Sequence, residues 1–191
     1  MQIMMLVVLL ALIGTFGLGC AAGGHDRTDA SDVANAEATD APPPAIRAWM
    51  DRLTVAHDYD PETGFIVARE VVTLPPLLAN GPSLDAAIDR AQSDQLVIAF
   101  ATADRCAPCQ QFKKDALNDP AVVRRLARPE FVATHVEVDR KPELAAAWLG
   151  GPAIPMSYAL RDGEVIATLR GQRSASDLMA WLDELSLTDH S

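Results

Sequence analysis

Cys106-Ala107-Pro108-Cys109 is the segment of this chain whose residue types and spacing can do covalent chemistry. Two thiols three positions apart, one turn of helix from each other, can close a disulfide and open one. The neighbouring pattern says where they must sit. Leu96-Val97-Ile98-Ala99-Phe100 is a short continuous apolar run, as expected for a strand buried on both faces. Gln110 to Leu117 contains neither Gly nor Pro, so a helix is expected to begin near Cys106. The unpaired N–H groups of a helix N-terminus stabilise an anion. A thiolate there should form below the free-cysteine pKa of about 8.5. Arg105 adds a positive charge beside Cys106, and Pro108 fits the first helical turn, where no N–H is needed. Cys106 is therefore read as nucleophile. Cys109, one turn deeper and expected to be a buried neutral thiol, is the resolving partner.

Two other uses of the pair compete. A zinc site needs four ligands in tetrahedral geometry. The chain has three cysteines, no second C-x-x-C, and its histidines, His25, His57, His135 and His190, show no ligand spacing. No metal is expected. An inert structural disulfide would gain little, because so short a loop hardly restrains the unfolded chain.

The elements that position the pair occupy the C-terminal part of a 191-residue chain. Ser83 is a plausible N-cap for a helix with Leu84, Ala87, Ile88 and Ala91 on one face. The buried strand and the Cys106 helix follow. Asp119-Pro120 opens another helix, and Phe131 to Val138 alternates like a strand. Pro142 to Leu149 reads as helix. Met156 to Leu160 and Val165 to Leu169 flank Asp162-Gly163, a hairpin signal. Ser174 to Leu185 closes as an amphipathic helix. The order implies an α/β domain over residues 80–187, a central mixed sheet with helices on both faces, followed by a tail over 188–191. Trp148 and Trp181 fall on apolar helix faces and read as core. His135 reads as a satisfied structural histidine.

The N-terminal part is of another kind. Met1 to Gly19 carries no charged side chain and ends in Gly-Leu-Gly before Cys20. It reads as an export signal or membrane anchor over residues 1–19, not as part of the fold. Residues 20–45, rich in Ala and Asp and ending in three prolines, have too few large apolar side chains to repay ordering and read as a flexible tether. Residues 46–79 read as an extension packing on the main domain: Ile46, Trp49, Met50 and Leu53 at helical spacing, a turn at Asp60 to Gly64, and a β-rich run from Phe65 to Leu74. A formal net charge of −10 argues against nucleic acid as a partner.

Across Ser83 to Leu187 these features, in this order, resemble the thioredoxin superfamily. Val97 to Phe100 matches the central strand, Cys106 to Cys109 the active-site motif, and Ile154-Pro155 the family's cis-proline. Glu164 stands nine residues and Gly171 sixteen residues after Pro155, at family spacings. Cys109-Gln110-Gln111-Phe112, with Asn118-Asp119-Pro120-Ala121-Val122, is most similar to the C-terminal thioredoxin-like domain of DsbD-type transmembrane reductases. Gly-Leu-Gly-Cys resembles a bacterial lipoprotein signal, which would make Cys20 a lipidation point on the periplasmic side. An uncleaved anchor and ordinary cleavage are the other two readings of the leader.

The resemblance implies a thioredoxin-like fold and thiol–disulfide exchange on protein substrates, with no cofactor beyond the Cys106–Cys109 disulfide. It implies a reductase or electron relay, supplied by a transmembrane electron donor, and it makes Ile154 and Pro155 the backbone station for an extended substrate strand. Pro152 then reads as a rigid turn. An oxidase or isomerase with the same dithiol, and a non-catalytic binding module, are the alternatives. Three departures matter. Arg105 replaces a family Trp, Ala99 stands where the family has a buried acid, and the loop from Phe100 to Cys106 is one residue longer. Without that acid, water or Asp104 must take the proton of Cys109. Asp104 otherwise reads as a solvated loop acid paired with Arg105.

Overall fold

The computed structural model describes residues 40–141, 143 and 153–188. The leader, Cys20, the tether before Asp40, Pro152, Trp148 and the helix expected from Pro142 to Leu149 (Glu143 excepted) lie outside the described residues. The extension contributes α1 (Pro44–Met50), β1 (His57–Asp60), β2 (Phe65–Ala68) and a single turn, α2 (Pro76–Ala79). The main domain continues with α3 (Leu84–Arg90), β3 (Leu96–Thr102), α4 (Ala107–Phe112), a π-helical turn (Lys113–Leu117) and α5 (Pro120–Leu126). After these come β4 (Phe131–Glu137), β5 (Met156–Arg161), β6 (Glu164–Arg170) and α6 (Ala175–Thr188).

The main sheet has the order β4-β3-β5-β6. β4 runs parallel to β3, while β5 and β6 are antiparallel additions. Every residue of β3 is buried. Leu96, Ile98 and Phe100 face a core shared with Phe112, Leu117, Leu126, Leu178 and Leu182. Val97, Ala99 and Ala101 face a second core under α3, with Leu84 and Ala87. That alternation is the period-2 geometry of a strand. With two apolar faces, β3 needs cover on both sides, and helices supply it. The fold is thus an α/β, thioredoxin-like arrangement with a mixed central sheet.

Local chemistry sets the joints. Ser83 caps α3 by accepting from the Ala86 N–H at 3.3 Å, and Asp119 caps α5 by accepting from Ala121 and Val122. Asp162 and Gly163 turn β5 into β6 with φ of 51° and 80°, the left-handed pair a two-residue hairpin requires.

The extension differs from its sequence reading in three places. α1 stops at Met50, so Leu53 reaches the core from the turn beyond it. The β-rich run pairs only over Phe65–Ala68, against a strand, β1, that was not expected. His57 to Asp60 alternates too weakly in hydrophobicity to stand out. α2 was also not expected, because Pro75 and Pro76 read as a stop; Pro76 instead takes the first helical position, where its missing N–H costs nothing.

Candidate functional site

β3 carries the chain to Thr102, and the loop Ala103 to Arg105 delivers Cys106 to the N-cap of α4. Cys106 is half-buried and Cys109 fully buried. They form a disulfide with Cα atoms 5.2 Å apart. The Cys109 N–H donates to the Cys106 sulfur at 3.2 Å, so a sulfur at the N-cap takes the place usually held by a capping oxygen. Ala107 and Pro108 are the first two residues of α4 and are buried. This hydrogen bond, at the start of a helix, favours a sulfur bearing negative charge.

Two buried glutamines hold the surrounding backbone. Gln110 donates from Nε2 to the carbonyls of Ala103 (3.0 Å) and Asp104 (3.1 Å), and its Oε1 accepts from the Val72 N–H at 2.7 Å. One side chain thereby ties the active-site helix, the loop before Cys106 and the extension. Gln111 accepts from the N–H groups of Thr54 and Val55 and donates to Asp115. Leaving such a buried backbone group unpaired costs about 1–3 kcal/mol. The extension also reaches the nucleophile directly. The Ala68 N–H donates to the Arg105 carbonyl at 2.8 Å, and Val67 and Cys106 form an antiparallel β-bridge. Leu53, Val55 and Ile66 share a small core with Ala107.

Arg105 is exposed beside Cys106, and its charge helps hold Asp60 low, after the larger effect of the Thr63 hydroxyl bonded to that carboxylate. Asp104 does not pair with Arg105, as the sequence reading had it. It turns inward to Lys113 (3.4 Å) and meets Arg140 at 2.7 Å. Burial alone would raise its carboxyl, but the Arg140 hydrogen bond and the Lys113 charge outweigh burial and hold it below the usual range. A helical lysine on the same face as Cys109 is a more accessible partner than an arginine whose backbone is engaged by β2.

Lys113 is the centre of a buried polar group that composition does not reveal. It is 2% exposed and reaches Glu137 at 3.5 Å as well as Asp104. Burial pushes the Glu137 carboxyl up in spite of that cation. His135 lies 2.7 Å from the Thr102 hydroxyl, hydrogen bonded through Nε2. Burial first, then the charges of Lys113 and Arg140, lower its pKa to about 4, against the opposing pull of Asp104. It is a structural, neutral histidine.

A pH dependence follows. The unfolded chain protonates His135 near pH 6.5 and the folded chain only near 4. Between those values the unfolded state binds more protons, so stability falls as pH drops. Over the full window this amounts to roughly 3 kcal/mol. Glu137, whose pKa is raised, acts in the opposite sense by weakening the fold as pH rises past its ordinary range. Comparison with His135→Gln isolates the histidine. Urea titrations from pH 7 to 4 should show wild type losing stability more steeply than the variant; equal slopes would mean that His135 is charged in the fold.

Immediately before β5, whose Met156 pairs with Ala101 near the end of β3, the Ile154–Pro155 peptide bond is cis, and the Pro155 carbonyl accepts from the Gly171 N–H at 2.9 Å. Gly171 takes φ of 81°, which favours glycine. Ile154 packs beside the core under α3. The residues that sequence reasoning missed are Gln110, Gln111, Lys113, Glu137 and Val67. A signal existed for Lys113 alone: it lies four residues from both Cys109 and Leu117, on their buried helix face.

Comparison with known proteins adds the following. Residues 84–186 match the family described as thioredoxin-like domain. No curated protein matches the chain. Among solved structures, a thioredoxin from Thermus thermophilus is 29% identical, with a TM-score of 0.48 over 56% of this chain and 86% of that one. A mutant thioredoxin from Halobacterium salinarum is 22% identical, with a TM-score of 0.44 over 56% and 88%. Malassezia sympodialis thioredoxin is 23% identical, with a TM-score of 0.43 over 55% and 88%. More than half of the chain lies within the family match, and that stretch holds the cysteine pair at the head of its helix: the chain belongs to the thioredoxin-like domain family.

Proposed function

We propose that this protein is an exported, membrane-tethered thiol–disulfide oxidoreductase that reduces protein disulfides or relays electrons to them. The observation that carries the reading is the half-buried Cys106 bonded to a fully buried Cys109 behind it. In the reduced protein, the Cys106 thiolate attacks one sulfur of a substrate disulfide, forming a mixed disulfide and releasing the other substrate sulfur as thiolate. Cys109 then loses its proton and attacks the Cys106 sulfur. The Cys106–Cys109 bond closes and the second substrate thiolate leaves. The substrate gains two electrons and the pair loses two. A carboxylate kept below its ordinary range is a weak base, which counts against Asp104 as acceptor of the Cys109 proton.

Ile154, beside the Pro155 turn, would offer its backbone to the substrate strand. No cofactor beyond the dithiol is required. Reduction of the pair falls to a dithiol donor, in our reading a transmembrane partner like the rest of a DsbD-type reductase. Attachment falls to Cys20 as a lipid-bearing residue, with residues 20–45 as tether and the bacterial periplasm as compartment. Our reading sets the pair nearer the thioredoxin end, about −270 mV, than the DsbA end, about −120 mV, a span of about 7 kcal/mol for two electrons, because its dipeptide is proline-second as in thioredoxin.

The test is capture in cells with the full chain carrying Cys109→Ala. Mixed disulfides with exported proteins should accumulate and vanish when Cys106→Ser is added. Absence of adducts, or adducts that survive without Cys106, would overturn the reading. A midpoint potential close to the oxidising end would make it an oxidase instead.

A further inference from the structure

We infer that Phe65 and Val67, contributed by the extension, are specificity-determining residues that receive an apolar, extended segment of the substrate protein next to its disulfide. The inference rests on the exchange reading above. In an antiparallel pair, residues directly opposite place their Cβ atoms about 5 Å apart on the same face. The Val67–Cys106 bridge therefore sets the Val67 side chain beside that of the nucleophile. Strand alternation places Phe65 on this same face and sends Ile66 and Ala68 to the other, where they pack with Ala107. Phe65 is 70% exposed. Leaving a phenylalanine in water at a hairpin end forgoes the gain of burying its ring, and nothing among the described residues covers it.

This apolar surface is also held firmly. Gln111 fixes the chain ahead of β1 through Thr54 and Val55, and Gln110 fixes the chain after β2 through Val72. Both glutamines follow Cys109 directly. The helix that starts at the cysteine pair thus also holds, through its glutamines, both ends of the hairpin that carries Phe65 and Val67, a preorganised arrangement. Its border is polar: Asp58 stands opposite Val67 in the hairpin, Asp60 opposite Phe65, and Arg69 pairs with Asp58 at 3.4 Å. An apolar centre with a charged rim is the pattern of a surface that takes a polypeptide. Any substrate sulfur that reaches Cys106 brings its flanking residues over Val67.

The experiment uses the full chain, reduced beforehand, and compares second-order rate constants toward insulin, a protein disulfide, and toward 5,5′-dithiobis(2-nitrobenzoate), a small one. With Phe65→Ser, the insulin rate should fall about five- to tenfold, as lost apolar contact dictates. The small-disulfide rate should hold, and Phe65→Leu should recover most of the insulin rate. Insulin rates that do not change would overturn the inference, as would a parallel fall toward both disulfides, which would mean that the hairpin acts on Cys106 itself. A wild-type protein inert toward the small disulfide would sink the exchange reading, a separate and recognisable failure.

Discussion

Cys106→Ser is expected to abolish disulfide exchange, with the rate toward any disulfide falling by at least roughly 10³-fold, because the covalent nucleophile is gone. The geometry makes this a chemical loss and not a folding one. Cys106 is the N-cap of α4, and serine is among the best residues for that position. Its hydroxyl can take the Cys109 N–H that the sulfur now accepts. The disulfide it removes joins cysteines only three positions apart and restrains the unfolded chain little. Cys109→Ser should behave differently. The donor to the Cys106 sulfur is the backbone N–H of residue 109, which the substitution leaves in place, so the first attack survives while the second step is lost. Stopped-flow measurement should give one equivalent of thiolate released from a small disulfide and a stable adduct on Cys106. Comparable residual turnover in both variants would mean that the two cysteines do not have the divided roles their burial implies.

The placement of the cysteine pair was legible in the sequence because it rests on local rules. A C-x-x-C after a two-face apolar run locates a helix start at the end of a buried strand, and the structure has it there. The Asp162-Gly163 hairpin and the Ser83 and Asp119 caps are likewise decided within four or five residues. What surrounds the site was not legible, for a common reason. Gln110, Gln111 and Lys113 are polar residues with partners far along the chain, Val72, Thr54 and Glu137. Polar side chains on a helix read as solvent-facing unless a buried partner is known. β1 was missed for the same reason, since it is held by pairing with β2 more than by its own propensity. Asp104 was assigned to its sequence neighbour Arg105 because proximity along the chain was the only guide; in the fold it turns to Lys113 and Arg140.

The second large effect lies in that buried group. Lys113→Met should destabilise the protein by about 3–5 kcal/mol, the range for removing one partner of a buried ion pair. The methionine fills most of the same volume, so the loss is electrostatic. Two carboxylates, Asp104 and Glu137, share the ammonium, and each would be left facing the other across its vacated place. Asp104 keeps Arg140, so the unmet charge concentrates on Glu137, whose pKa burial already raises. Two consequences separate this account from simple packing damage. Adding Glu137→Gln to Lys113→Met should recover a large part of the loss, because a neutral amide no longer needs the cation; packing damage would instead add to it. Measured against wild type, which carries the same His135, the single variant should also gain stability as the pH is lowered from 7 toward 5, since Glu137 can then take a proton in place of the missing lysine. Urea denaturation of the two variants and wild type at pH 7 and 5 tests both. A single variant within about 1 kcal/mol of wild type, less than a buried charge pair allows, would show that Lys113 reaches solvent in the folded protein and neutralises nothing.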